Sequence, residues 1–136
     1  MRVFAVSDIH ADYSENLQWI SSLDRSAYQD DVLILAGDVS DDMATLSRVL
    51  SVTSETFAQV LFVPGNHELW VQREDFDCSL EKFAAVMELC RNQRVTTEPV
   101  VLGGIAFIPL LGWYDYSFAV PGRELRLGWR DYRACR

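Results

Sequence analysis

Val60-Leu61-Phe62-Val63-Pro64-Gly65-Asn66-His67-Glu68 is an apolar run that ends in a breaker pair and then turns polar. Four β-forming residues before Pro-Gly read as a strand, and Asn-His-Glu after it as a loop leaving that strand. In an open α/β sheet the loops at the C-terminal ends of the strands are where ligands sit. The tetrapeptide Gly65-Asn66-His67-Glu68 is weak alone, so its meaning depends on whether similar strand ends stand upstream.

Two do. Val3-Phe4-Ala5-Val6 is a short apolar run closed by Ser7-Asp8-Ile9-His10, and Val32-Leu33-Ile34-Leu35-Ala36 is closed by Gly37-Asp38-Val39-Ser40-Asp41-Asp42. Continuous apolar runs of this length read as strands buried on both faces of a parallel sheet. Between them lie helical patterns. One starts near Ser14, an expected N-cap, with Leu17, Trp19, Ile20 and Leu23 as its stripe; the other carries Met43, Leu46, Val49, Leu50, Val52 and Thr53. Asp8 to Asp38 is 30 residues and Asp38 to Asn66 is 28, each one βαβ unit of about 30 residues. Parallel strands then bring all three loops to one edge.

Beyond the third loop, Phe76, Leu80, Phe83, Ala84, Met87, Cys90 and Arg91 keep helical spacing over 76–91. Val95-Thr96-Thr97 reads as a short strand. Pro99 to Leu102 and Ile105 to Ile108 flank Gly103-Gly104, which suits a primed hairpin turn. Leu110 to Tyr116 is aromatic, and Trp113, Tyr114 and Tyr116 are placed to overhang the site or to pack in a core. From Pro121-Gly122 onward, Arg123, Arg126, Arg130, Arg133 and Arg136 follow no clear period. This segment reads as a loop or tail, with a phosphate-facing loop as the second reading.

The chain has 136 residues, apolar residues at 49% and a net charge of −8. That is one domain, or part of one, with enough apolar side chains for a core. The acidic balance argues against broad nucleic-acid or membrane-surface binding. No stretch reaches the ~20 apolar residues of a membrane span, and the N-terminus lacks the pattern of a signal peptide. Cys78, Cys90 and Cys135 show no Cys-x-x-Cys spacing, so no disulfide framework or zinc knot is expected, and a reducing, cytoplasmic setting is.

The three loops carry chemistry. Carboxylate, imidazole and amide donors suit a divalent ion of intermediate hardness, such as manganese, zinc or iron. Asp8 and His10, two apart in an extended segment, face one ion together; Asp38 on the neighbouring strand is placed to bridge two. The bland readings are helix capping for Asp8 and Asp38 and an ordinary loop histidine for His67. Against them, the chain has only two histidines, His10 and His67, and both fall in these loops. A Rossmann nucleotide site is disfavoured because no Gly-x-Gly-x-x-Gly follows the first strand.

As a set, Asp8-Ile9-His10, Gly37-Asp38-Val39-Ser40-Asp41 and Gly65-Asn66-His67-Glu68 resemble the motifs of the calcineurin-like metallophosphoesterases over residues 1 to about 70. The resemblance implies an α/β fold, a four-layer αββα sandwich with a two-metal site at the strand ends. It implies Asp8 and His10 as ligands of the first metal, Asp38 as the bridge and Asn66 as a ligand of the second. His67 resembles the residue that contacts phosphate and protonates the leaving oxygen, and Asp41 the aspartate that orients it. The protein-phosphatase branch continues that motif with Arg-Gly, where this chain has Asp42-Met43. The family completes its site with later histidines, and here none follows His67. The expectation is therefore the N-terminal half of such a sandwich, with an incomplete second sheet and at most one metal held tightly. The implied partner is a phosphate-ester substrate. The implied activity is hydrolysis by a metal-activated water, impaired in this chain; the alternative is a non-catalytic metal-binding or protein-interaction fragment.

Overall fold

The computed structural model describes residues 1–72, 75–112 and 129–136. Trp113, Tyr114, Tyr116, Pro121, Gly122, Arg123 and Arg126, singled out above, lie outside the described residues. Strands β1 (Val3–Val6), β2 (Val32–Ala36) and β3 (Gln59–Val63) form a parallel sheet in the order β1-β2-β3, with helices α1 (Ser14–Ser21) and α2 (Met43–Thr56) as the two crossovers. Val3 pairs with Val32 and Val32 with Gln59, and the register runs unbroken to Ala36 against Val63. All three strands thus deliver their loops to one edge, as the 30- and 28-residue spacing requires.

The core fills one face of the sheet. Phe4, Val6, Leu33, Leu35, Val60 and Phe62 point into it and meet Ile20 of α1 and Leu46, Val49 and Leu50 of α2. Helix α3 (Ser79–Asn92) adds Val86 and Cys90. Helix α2 begins at Asp42, whose side chain accepts the Thr45 N–H at 2.7 Å. Asp38 is thereby relieved of the capping duty that was its bland reading.

Several expectations change. Strand β1 is not buried on both faces: Val3 and Ala5 are exposed, because no helix among the described residues covers that side of the sheet. The N-cap of α1 is Tyr13 rather than Ser14, whose hydroxyl instead donates to Glu15. Trp19 is 53% exposed, since the short helix turns only Ile20 fully inward. Helix α3 starts at Ser79, not Phe76, and buries Lys82, Val86 and Cys90, leaving Leu80 and Ala84 in solvent. The stretch Val95–Thr97 reduces to one parallel bridge, Leu61 to Thr96.

The hairpin holds as read. Strands β4 (Val100–Leu102) and β5 (Ile105–Phe107) pair antiparallel, and Gly103 and Gly104 both take positive φ, 56° and 80°. This is the backbone a primed two-residue turn demands. The hairpin approaches the side of the sheet that the helices leave bare. There Ile34, Leu61 and Val63 share an apolar hollow of about 90 Å³ with Thr96, Val100 and Phe107. No helix among the described residues is long and apolar enough to cross a membrane.

At the opposite end of the sheet from the loops, the buried Asp31 carboxylate accepts the Arg2 backbone N–H at 2.6 Å and its Nε at 2.9 Å. Short helix α4 (Asp131–Ala134) closes the described chain. It docks beside the third loop through Val71 N–H to the Ala134 carbonyl, 2.8 Å, with Ala134 fully buried.

Candidate metal centre

The sheet does not stop where its strands do. Asp8 N–H donates to the Gly37 carbonyl at 3.1 Å, His10 N–H to that of Asp38 at 3.0 Å, and Ala11 N–H to that of Val39 at 2.8 Å. The first two loops are therefore zipped together backbone to backbone. In doing so, Asp8, His10 and Asp38 take left-handed φ values of 54°, 45° and 54°. Such a conformation costs an L-residue about 1–3 kcal/mol, and strain of this kind gathers at functional sites. Asp and His are among the few side chains that tolerate it. The extended geometry expected to aim Asp8 and His10 together is thus replaced by a left-handed one.

Two glycines let the second and third loops touch. A Cβ on Gly65 would stand 2.2 Å from Asp38 Oδ1, and one on Gly37, at φ 80°, would stand 2.7 Å from Gly65 N. The Asp38 carboxylate and the facing backbone fill that space, so neither position has room for a side chain.

Glu68 locks the junction. It is completely buried, and its carboxylate accepts four backbone N–H groups: Asp38 at 3.0 Å, Val39 at 2.6 Å, Ser40 at 3.1 Å and Gly65 at 2.7 Å. Burial pushes its pKa up, and the four amides pull against that rise. Lys82, also buried, reaches out of α3 to donate from Nζ to the carbonyls of Asp41 at 2.6 Å and Trp70 at 2.5 Å. The acid ties the second loop to the third through their donors, and the lysine ties them through their acceptors.

The result is a convergence of ligand atoms. His10, Asp38 and His67 each offer one donor atom, and these lie within 4.8 Å of one another. Imidazole and carboxylate at that spacing fit a divalent cation of intermediate hardness. The two imidazoles meet edge to face, 4.5 Å between ring centres, and His67 rests on the Trp70 indole at 3.7 Å. His67 N–H donates to Asp38 Oδ1 at 3.1 Å, so its backbone is keyed to the same carboxylate.

The other sequence-derived residues surround this trio. Asp8 is exposed and stands outside it. Asn66 is exposed, its Nδ2 donating to Asp131 Oδ1 at 2.8 Å. Asp41 is buried and lines the same cleft as His10 and His67. That cleft, about 470 Å³, is completed by Asp12, Tyr13, Trp70 and Arg130. The Arg130 guanidinium lies over the Trp70 ring at 4.6 Å.

Sequence reasoning missed the duties of Glu68, Trp70, Lys82 and Asp131. Glu68 was visible in part: a carboxylate three residues after Gly65, closing onto its N–H, has the spacing of a capping box. Lys82 had a quieter signal, sharing an i, i+4 row with Val86 and Cys90. Asp131, 65 residues beyond Asn66, had none.

Comparison with known proteins agrees with this geometry. The family model for calcineurin-like phosphoesterases matches residues 1–131. The chain is similar to the [acyl-carrier-protein] phosphodiesterase PptH of Mycobacterium tuberculosis, 33% identical over 129 residues that cover 88% of this chain and 40% of that protein. It also resembles the crystal structure of the phosphopantetheinyl hydrolase PptH from Mycobacterium tuberculosis, with a TM-score of 0.77 and 27% identity, over 97% of this chain and 51% of that one. The chain thus spans about half the length, or less, of these relatives. Three strand-end loops, a shared site between them and a family match over residues 1–131 place this chain in the calcineurin-like phosphoesterase family.

Proposed function

We propose that this chain carries the N-terminal share of a metal-dependent phosphodiesterase site, and that its substrate is a phosphodiester of the phosphopantetheine–carrier-protein type. The observation that carries the reading is the convergence of His10, Asp38 and His67 within 4.8 Å at the strand ends. The substrate class is supported by the similarity to PptH.

In this reading Asp8, His10, Asp38 and the Asn66 amide oxygen hold the metal, manganese, iron or zinc. Divalent cations there supply neutralising charge and an acidified water. The remaining work belongs to the chain. His67, stacked on Trp70, donates a proton to the leaving oxygen, and Asp41 across the cleft sets its charge environment. Arg130, at the cleft wall, offers a cation to phosphate oxygens. Tyr13 and Trp70 bound the space for the organic arm.

His67 stands close enough to the trio to serve as a ligand instead, and manganese titration followed by electron paramagnetic resonance separates the roles. If His67 is the acid, His67→Asn keeps manganese affinity and loses turnover of a model phosphodiester in a protein spanning the relatives' length. Asp38→Asn loses both. A parent chain that takes up no manganese, or an Asp38→Asn variant that binds as the parent does, overturns the metal reading. A second reading, a metal-binding module without catalysis, is supported by the same trio, which could hold an ion by itself. Binding without hydrolysis by the extended protein would select it.

A further inference from the structure

We infer that Asp131 is a positioning residue that fixes which end of the Asn66 carboxamide faces the metal centre. The inference rests on the proposed role of Asn66 as a ligand through its oxygen. An asparagine amide is ambivalent, since one end accepts and coordinates while the other carries two N–H donors. Rotated by half a turn, the same side chain would turn N–H toward a cation and repel it.

Asp131 removes the ambiguity. A carboxylate accepts and cannot donate. Its Oδ1 takes Asn66 Nδ2 at 2.8 Å, so the flipped amide would set oxygen against oxygen. That leaves the Asn66 oxygen as the end Asp131 does not engage. The same Oδ1 takes the Trp70 indole Nε1–H at 2.6 Å. One oxygen therefore holds both the ligand amide and the ring on which His67 rests at 3.7 Å. Second-sphere acceptors of this kind orient metal ligands, and removing one typically costs about 10–100-fold in metal affinity.

The anchor is itself held from elsewhere. Besides the Val71–Ala134 bond, Ser79 N–H donates to the Arg136 carbonyl at 2.9 Å, and Arg136 N–H donates to Ser79 Oγ at 3.1 Å. Residues 129–136 thus reach the site as a docked segment, and Asp131 is the carboxylate that segment delivers.

Asp131→Asn tests this, because an amide at 131 can donate as well as accept and permits either Asn66 orientation. Ser79→Ala is the comparison: it removes the hydroxyl's bonds to Arg136 and Leu69, while the Val71–Ala134 and Ser79 N–H bonds still hold the segment. Without metal, proton–nitrogen spectra should show slowed solvent exchange of the Asn66 carboxamide and the Trp70 indole N–H in the parent and in Ser79→Ala, and faster exchange in Asp131→Asn. With manganese, Asp131→Asn should bind about 10–100-fold more weakly, Ser79→Ala should bind as the parent does, and Asp131→Glu should recover part of the loss. Unchanged exchange at both groups, or parent-like manganese affinity in Asp131→Asn, overturns the inference. If the parent takes up no manganese, the metal-centre reading fails by itself and the exchange measurement alone decides whether Asp131 positions the two side chains.

Discussion

Glu68 is a carboxylate without water and with four amide partners. Its four bonds run to the second loop and to the start of the third, so one side chain holds two of the three strand-end motifs at their working separation. Glu68→Ala would leave these buried N–H groups unanswered. Leaving a buried donor without its partner costs about 1–3 kcal/mol, read as a drop in the unfolding midpoint in urea. Glu68→Gln keeps the shape but offers one acceptor oxygen instead of two, so a smaller loss is expected. A Glu68→Ala protein as stable as its parent would show that the four bonds contribute nothing. The sequence names this residue inside its motif without disclosing the task, because what Glu68 binds is backbone, and backbone donors are invisible to residue patterns. The candidate ligands are the opposite case. Asp8, His10, Asp38, Asn66 and His67 are legible because their side chains are the chemistry.

Elements were readable wherever an apolar run or stripe ended at a clear breaker. Strands β1 to β3, helices α1 and α2 and the hairpin follow their runs and breakers closely. Helix α3 misleads for a definite reason: its inner face meets loop carbonyls as well as core, so Lys82 takes an inward position that a hydrophobic stripe would assign to Leu80. At the far end of β1 and β2 the pairing is locked by charge. Asp31 is buried against Arg2, whose guanidinium and backbone N–H hold its carboxyl below the usual range. A depressed folded value contributes stability that is complete above the unfolded value of about 3.9 and is lost as pH falls through the folded one. The acid limb of the stability curve should therefore flatten in Asp31→Asn. Urea titrations between neutral and strongly acidic pH would show it, and an unaltered acid limb would mean the contact is inert.

At the scale of the molecule, and among the described residues, helices pack one face of the sheet and the hairpin meets the other. Val3 on β1 is 42% exposed, and Ile108 and Leu110, just past the hairpin, are 65% and 77% exposed. Exposed apolar side chains of this size are what apolar dyes bind. The 136-residue chain is expected to bind an apolar fluorescent dye while folded, and Ile108→Asn with Leu110→Asn should reduce the signal without lowering the unfolding midpoint. Dye binding that is absent, or that the double variant leaves intact, would place the apolar surface elsewhere. In the proposed reading Asp8, His10, Asp38 and Asn66 together hold one divalent ion. Metal analysis after dialysis should accordingly return about one equivalent of the divalent ion, and two retained equivalents would refute that count.

The left-handed turns at Asp8, His10 and Asp38 carry a lesson for anyone who edits this site. Asparagine is nearly as comfortable as aspartate in that conformation, whereas alanine is not. An alanine scan here would therefore report two losses at once, a missing ligand and a reluctant backbone, and would exaggerate the chemistry. Aspartate-to-asparagine exchanges at 8 and 38 leave the turn content while removing the charge and one acceptor oxygen, which makes them the cleaner instrument.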